Sequence, residues 1–195
     1  MHWKEYLIYI LRFLPVLMFV GISVFFYYSS AESLVYFVGV ENAYVLIFVL
    51  AFFGGLTTFS GVPYHLVLVT LAMSGLNPFL LGLTTAVAVS LGDCTSYLVG
   101  FYGRTLVPER VERSFRKLAA IQERHPRMLP ILFFCYGAFV PFSSDLITIP
   151  AGLLRYPLWK VIIPLGIGTI IFNTSLAYLA TELYGWAALL GWIPI

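Results

Sequence analysis

Three ionisable side chains stand in stretches of sequence that are otherwise apolar: His65, Asp93 and Asp145. Inside a bilayer such groups are costly, and by default they mark a proton, ion or substrate path. Apolar surroundings perturb the protonation of a carboxyl group, so Asp93 and Asp145 are candidate carriers of a proton. Polar neighbours accompany them. Ser143 and Ser144 precede Asp145, and Asn173-Thr174-Ser175 interrupts a later apolar run. Each residue also has a structural use. Asp145 could cap the helix that follows it. Asp93 could be held by nearby Thr and Ser hydroxyls, His65 could be a satisfied neutral imidazole, and Asn173-Thr174-Ser175 could join helices by hydrogen bonds.

Other chemistries find little support. Cys94 and Cys135 lie in apolar runs, with no CxxC motif and no Cys/His cluster. There is no H-E-x-x-H motif and no Gly-x-Ser-x-Gly elbow, and Ser60-Gly61 near His65 is only a faint echo of a Ser/His pair. The expectation is a non-enzyme with no metal and no cofactor. A net charge of +2 gives no reason to expect a nucleic-acid partner.

The elements that must carry these residues are membrane helices. The chain of 195 residues is 61% hydrophobic and 10% charged, with a mean hydropathy of +0.93. Soluble domains run near 45–50% apolar and about 25% charged. This chain is therefore expected to be an all-helical integral membrane protein. Spans of about 20 apolar residues fit Tyr6–Tyr28, Phe79–Tyr102 and Leu158–Leu183. The first lacks a small-residue cleavage site and is expected to be a retained helix.

Two further apolar stretches are broken in the middle. The first, 43–76, carries Gly54-Gly55, Thr57-Thr58 and Ser60-Gly61-Val62-Pro63. The second, 128–155, carries Gly137, Pro141, Ser143-Ser144-Asp145 and Pro150. Arms of about 12–16 residues are short for a hydrocarbon core of roughly 30 Å. They are expected to form re-entrant hairpins, with Gly61, Pro63, Pro141 and Pro150 holding the breaks. Proline-kinked full spans are the alternative. The expected organisation is an N-terminal helix and outer connector (1–42), a membrane domain (43–182) and an interfacial tail (183–195). Within the domain, the order is hairpin 43–76, span 79–102, amphipathic helix 108–125, hairpin 128–155 and span 158–183.

Charge sets the orientation. Seven of the 11 Lys and Arg fall between Arg104 and Arg127, and such clusters stay cytoplasmic. Lys4 and Arg12 put the N-terminus on the same side, and Arg155 and Lys160 anchor the second hairpin there. Arg104, Arg155 and Lys160 are candidate headgroup-side cations. Within the connector, Val111, Phe115, Leu118 and Ile121 form a helical stripe, with Glu109–Arg113 and Glu112–Arg116 pairs. This basic amphipathic helix is expected to lie on the inner leaflet.

The plan of hairpin, proline-containing turn and span occurs twice. A shift of 79 residues pairs Ala72 with Ala151, Pro78 with Pro157 and Thr95-Ser96 with Thr174-Ser175. The charge-derived path gives the two copies opposite orientations, an inverted repeat of the kind transporters use.

Two motifs carry a family resemblance. Gly92-Asp93-x-x-x-Tyr97-x-x-Gly100-x-x-x-Arg104 is one. Phe139-Val140-Pro141-Phe142-Ser143-Ser144-Asp145, followed by Ile149-Pro150-Ala151-Gly152-Leu153-Leu154-Arg155-Tyr156-Pro157, is the other. Together they resemble the DedA superfamily, also called the VTT or SNARE-associated domain, over about Ala43 to Ala180. The resemblance implies two facing re-entrant hairpins and movement of lipids between leaflets, as a flippase or scramblase linked in bacteria to the proton gradient. Many members carry arginines where Ala138 and Ser144 stand here, and an acid where His65 stands. These departures favour the YqaA-like branch.

The expected function is thus a lipid transporter in the plasma membrane of a prokaryote, with membrane lipids and protons as partners. A homo-oligomer is left open. A small-ion or solute transporter and a non-transporting assembly factor are the alternatives.

Overall fold

The computed structural model describes residues 39–56, 64–103, 128–141 and 143–190. Expectations for the N-terminal helix, the 104–127 connector, Gly61, Pro63 and Arg104 lie outside these residues. Within them the chain is all helical, with no strand. Its helices are α1 (Val40–Leu56), α2 (Tyr64–Met73), α3 (Pro78–Gly103), α4 (Met128–Phe139), α5 (Asp145–Leu153) and α6 (Leu158–Leu189).

Length divides them into two kinds. α3, with 26 residues, and Leu158–Ala187 of α6, with 30, are long and apolar enough to cross a membrane. At 1.5 Å per residue, α3 reaches about 39 Å. α1 has 17 residues, α2 10, α4 12 and α5 9, all short of the roughly 20 that a crossing needs. α6 continues six residues past Leu183, the end expected for the last span, so the first part of the expected tail is helical.

Glycines fix how the helices meet. On α3, a Cβ at Gly82 would strike Thr174 of α6, and one at Gly166 of α6 would strike Ser90 of α3. The contact order reverses, so α3 and α6 run antiparallel. On the other side of α3, Gly55 of α1 lies on the Val89 backbone and Gly92 lies on Gly55. Gly54-Gly55 was expected to break the first hairpin. Both residues are helical instead, and their missing side chains let α1 approach α3. Gly137 is corrected in the same way: it lies within α4, against the Leu165 carbonyl of α6. Pro150 does not mark a break either. It sits buried inside α5, and the irregular backbone is at 140–141 and 143–144, beside Pro141.

Contacts give each short helix a direction. Ala43 and Ile47 of α1 cluster with Leu81 of α3, Ala51 with Ala88, and Gly55 meets Gly92. α1 therefore runs parallel to α3. α2 goes with α6: His65 meets Phe172, and the Thr181 hydroxyl donates to the Ala72 carbonyl at 3.3 Å. Since α6 opposes α3, α2 returns toward the end where α1 began. α4 likewise runs with α6 (Leu129 and Phe133 cluster with Val161 and Leu165), and α5 runs with α3. Gly152 of α5 sits on the Tyr97 carbonyl and the Phe101 N–H.

Three apolar clusters result among the described residues, one at each end of the bundle and a third, Ala51, Ala88 and Val89, where α1 meets α3. Of the two end clusters, one joins α1, α2, Leu76, the start of α3 and Ala177 and Ala180 of α6. The other joins α4, Ala151, Tyr156, the start of α6 and Tyr97 of α3. Between them lies a layer containing most of the buried polar residues, including Asp93, Asp145, Thr169 and Asn173.

The turns after α2 and α5 match closely. Each has one residue at positive φ, Gly75 at 84° and Arg155 at 54°, followed by a buried side chain, Leu76 or Tyr156. These pairs stand 80 residues apart, not the 79 that aligning the prolines gave. Pro78 is the first residue of α3, a position proline favours, whereas Pro157 precedes the first residue of α6. The side chain of Asn77 starts α3 by accepting the Leu80 N–H at 3.1 Å.

Candidate functional site

Asp93 lies midway along α3, with 1% of its surface exposed. Its Oδ1 accepts a hydrogen bond from the Ser144 hydroxyl, and its buried Oδ2 has no hydrogen-bond partner among the described residues. Ser144 is the residue before α5 and would ordinarily spend its hydroxyl on the helix N-terminus. It makes no such side-chain cap, because the hydroxyl is turned to Asp93. Asp145 is not the cap of α5. It is instead the first residue of α5, 5% exposed, where the amide ends of the helix favour negative charge.

The two acids are close enough to act on one another electrostatically. Tyr136 of α4 is within reach of both. Its hydroxyl donates to the Ser143 carbonyl at 2.9 Å and so spans the irregular segment that carries Ser143 and Ser144. Thr148 donates to the Ser144 carbonyl at 3.1 Å, and the Asp145 N–H lies 3.4 Å from the Ser143 hydroxyl oxygen. Backbone contact supports this arrangement. α5 is seated on α3 through Gly100 against Ile149 and Gly152 against Tyr97, and the Tyr97 hydroxyl donates to the Tyr156 carbonyl at 2.6 Å.

His65 is not part of this cluster. Its ring stacks on Tyr64, centroids 3.9 Å apart, and meets the edge of Phe172 at 5.7 Å. Tyr64 stands between the two groups. Its ring covers Gly54, and its phenol is within electrostatic reach of Asp93. Asn173 is fully buried on α6, and its Nδ2 donates to the Thr169 carbonyl at 2.9 Å.

The candidate headgroup cations lie away from the acids. The Arg155 guanidinium sits 5.3 Å above the Phe101 ring, and the Lys160 ammonium 5.2 Å from the Trp159 ring. Both are at the end of the bundle where α3 finishes and α6 starts. Among the described residues no group of three or more His, Cys, Asp or Glu could hold a metal ion.

Sequence reasoning therefore brought together Asp93, Ser143, Ser144 and Asp145, which do meet. It also added His65 and Asn173, which make other contacts: His65 packs on Tyr64 and Phe172, and Asn173 bonds to Thr169. It missed Tyr136 and Tyr64. The available signal was position: Tyr136 lies just before the second break, and Tyr64 directly follows Pro63.

No curated protein and no solved structure matches the chain. A family model, described as the VTT domain, matches residues 44–182, most of the chain and all six described helices except the first residues of α1 and the last residues of α6. The chain belongs to the VTT-domain family of membrane proteins.

Proposed function

We propose that the protein moves phospholipid or lipid-phosphate headgroups between leaflets, coupled to protons, while the acyl chains stay in the bilayer. The observation that carries this reading is the junction at Asp93. A buried carboxylate on a helix long enough to cross is met by Ser144 from an irregular segment and keeps one oxygen without a partner among the described residues. Leaving a buried polar atom unpaired costs about 1–3 kcal/mol. A protein that tolerates that cost within a membrane is using the group.

The arrangement of the helices supports the same reading. α1 with α2, and α4 with α5, run out and back beside α3 and α6, and no member is long enough to cross. We read each pair as a re-entrant hairpin. Irregular backbone at 140–141 and 143–144 is then tolerable because it lines a polar site. The antiparallel long helices and the 80-residue correspondence of the turns support an inverted repeat, whose tips meet at the midplane around the substrate path.

The basic end, with Arg155 and Lys160, is the end that the Arg-rich 104–127 connector joins, which supports a cytoplasmic placement. A multi-pass protein of a prokaryotic plasma membrane, in the YqaA-like branch, fits these features. The test is leaflet exchange of labelled lipid in proteoliposomes. Faster exchange than in empty vesicles is expected. No acceleration with any of several headgroups would overturn the reading.

A further inference from the structure

Residues 80 apart occupy equivalent places in the two halves, as the turns show. Carried into the polar layer, this relation pairs Asp93 with Asn173, Asp145 with His65 and Ser144 with Tyr64. The surroundings correspond too. Asp93 stands one turn before Tyr97, which packs in the cluster of α4 and α5. Asn173 stands one turn before Ala177, which packs in the cluster of α1 and α2. His65 packs next to this second location: its ring meets the edge of Phe172, the residue before Asn173.

The second location has an open acceptor of its own. Asn173 is 0% exposed. Its Nδ2 is spent on Thr169, and its Oδ1 has no partner among the described residues. Thr174 is also unusual. Thr70, Thr85, Ser90, Thr169 and Thr181 each donate to the carbonyl four residues back. The buried Thr174 hydroxyl has no partner among the described residues and lies where Gly82 lacks a side chain. An unpaired amide oxygen accepts from an O–H or N–H group and does not neutralise a cation as a carboxylate would.

We propose that Asn173, with Thr174 next to it on α6 and His65 packed against the neighbouring Phe172, is a second polar subsite that accepts an O–H or N–H donor of a polar headgroup. The two halves then offer unlike sites, one acidic and one an uncharged acceptor. That the donor belongs to a lipid rests on the function proposed above; the subsite itself does not.

The test is equilibrium retention, read by native mass spectrometry of the full chain in detergent. The probes are dimyristoyl phosphatidylethanolamine and dimyristoyl phosphatidylcholine, both zwitterionic, of which only the first has an N–H donor. Free ethanolamine is the third probe. The wild type is expected to retain the ethanolamine lipid about fivefold more than the choline lipid, roughly the factor of one net hydrogen bond. Asn173→Leu should lose the preference. Asn173→Asp, which keeps an acceptor, and Gly103→Ala, where an added Cβ meets nothing within 4 Å, should keep it. An Asn173-dependent uptake of free ethanolamine without lipid preference supports the subsite and assigns the donor to a free small molecule. No preference for any donor, or a preference unchanged in Asn173→Leu, overturns the proposal. Retention does not require movement, so a preference found in a protein that moves no lipid would contradict the proposed function and leave the subsite standing.

Discussion

The hydroxyl of Ser144 donates to Oδ1 of Asp93, across 51 residues of chain and from an irregular segment to the middle of the long helix α3. This one bond joins the residues before α5 to α3 at the level of the buried acids. Removing it should be felt in both stability and activity. Ser144→Ala leaves Asp93 without its donor and should cost about 1–3 kcal/mol. α5 should persist, because Ser144 gives it no side-chain cap. Thermal unfolding of Ser144→Ala and Ser144→Thr checks this, with the threonine, which keeps a hydroxyl, expected to recover part of the loss.

The seat of α5 on α3 is set by backbone contact. A Cβ at Gly152 would collide with the Tyr97 carbonyl and the Phe101 N–H, whereas one at Gly103 would meet nothing within 4 Å. Gly152→Ala is therefore expected to lose about 1–3 kcal/mol by overpacking. It should also lower lipid movement, because Ser144 and Asp145 shift with α5. Gly103→Ala is the control and should change neither unfolding nor transport.

Two tyrosines at one contact should respond differently to loss of the hydroxyl. Tyr97 donates to the Tyr156 carbonyl at 2.6 Å, while the Tyr156 hydroxyl is buried without a partner among the described residues. Tyr97→Phe should destabilise the protein by about 1 kcal/mol or more. Tyr156→Phe removes an unpaired polar atom and should leave stability unchanged or raised. Parallel thermal melts of the two variants decide the point.

Arg155 holds a positive φ of 54° in the turn where the other half uses Gly75. That conformation costs a non-glycine residue about 1–2 kcal/mol, partly offset by the guanidinium over Phe101. Arg155→Gly relieves the backbone and loses the ring contact, whereas Arg155→Ala keeps the strain and loses the contact. The alanine variant should be the less stable of the two by about 1 kcal/mol, as chemical unfolding would show.

The parts of this molecule legible in its sequence are those where chemistry conflicts with surroundings. Asp93 and Asp145 stood out because charge is rare in the chain, and the structure brings them together. Ser143 and Ser144 were legible as polar residues at a break. Glycine was harder to read. Gly54, Gly55 and Gly137 can interrupt a helix or let two helices touch. The second use is decided by what lies opposite, which one sequence does not display. Tyr64 and Tyr136 were hidden among many aromatic residues in an apolar chain, since only a tertiary contact separates a packing ring from one that braces an acid. The register of the two halves was off by one because proline suits either side of a helix start.

The central claim is that Asp93 serves lipid movement. The direct measurement is the rate of leaflet exchange of labelled phospholipid in proteoliposomes containing wild type or Asp93→Asn, with matched protein content and unfolding temperatures. The account predicts that wild type exceeds empty vesicles and that Asp93→Asn loses about tenfold or more of that excess. Exchange in Asp93→Asn equal to wild type, or wild type no faster than empty vesicles for any headgroup tried, would contradict it.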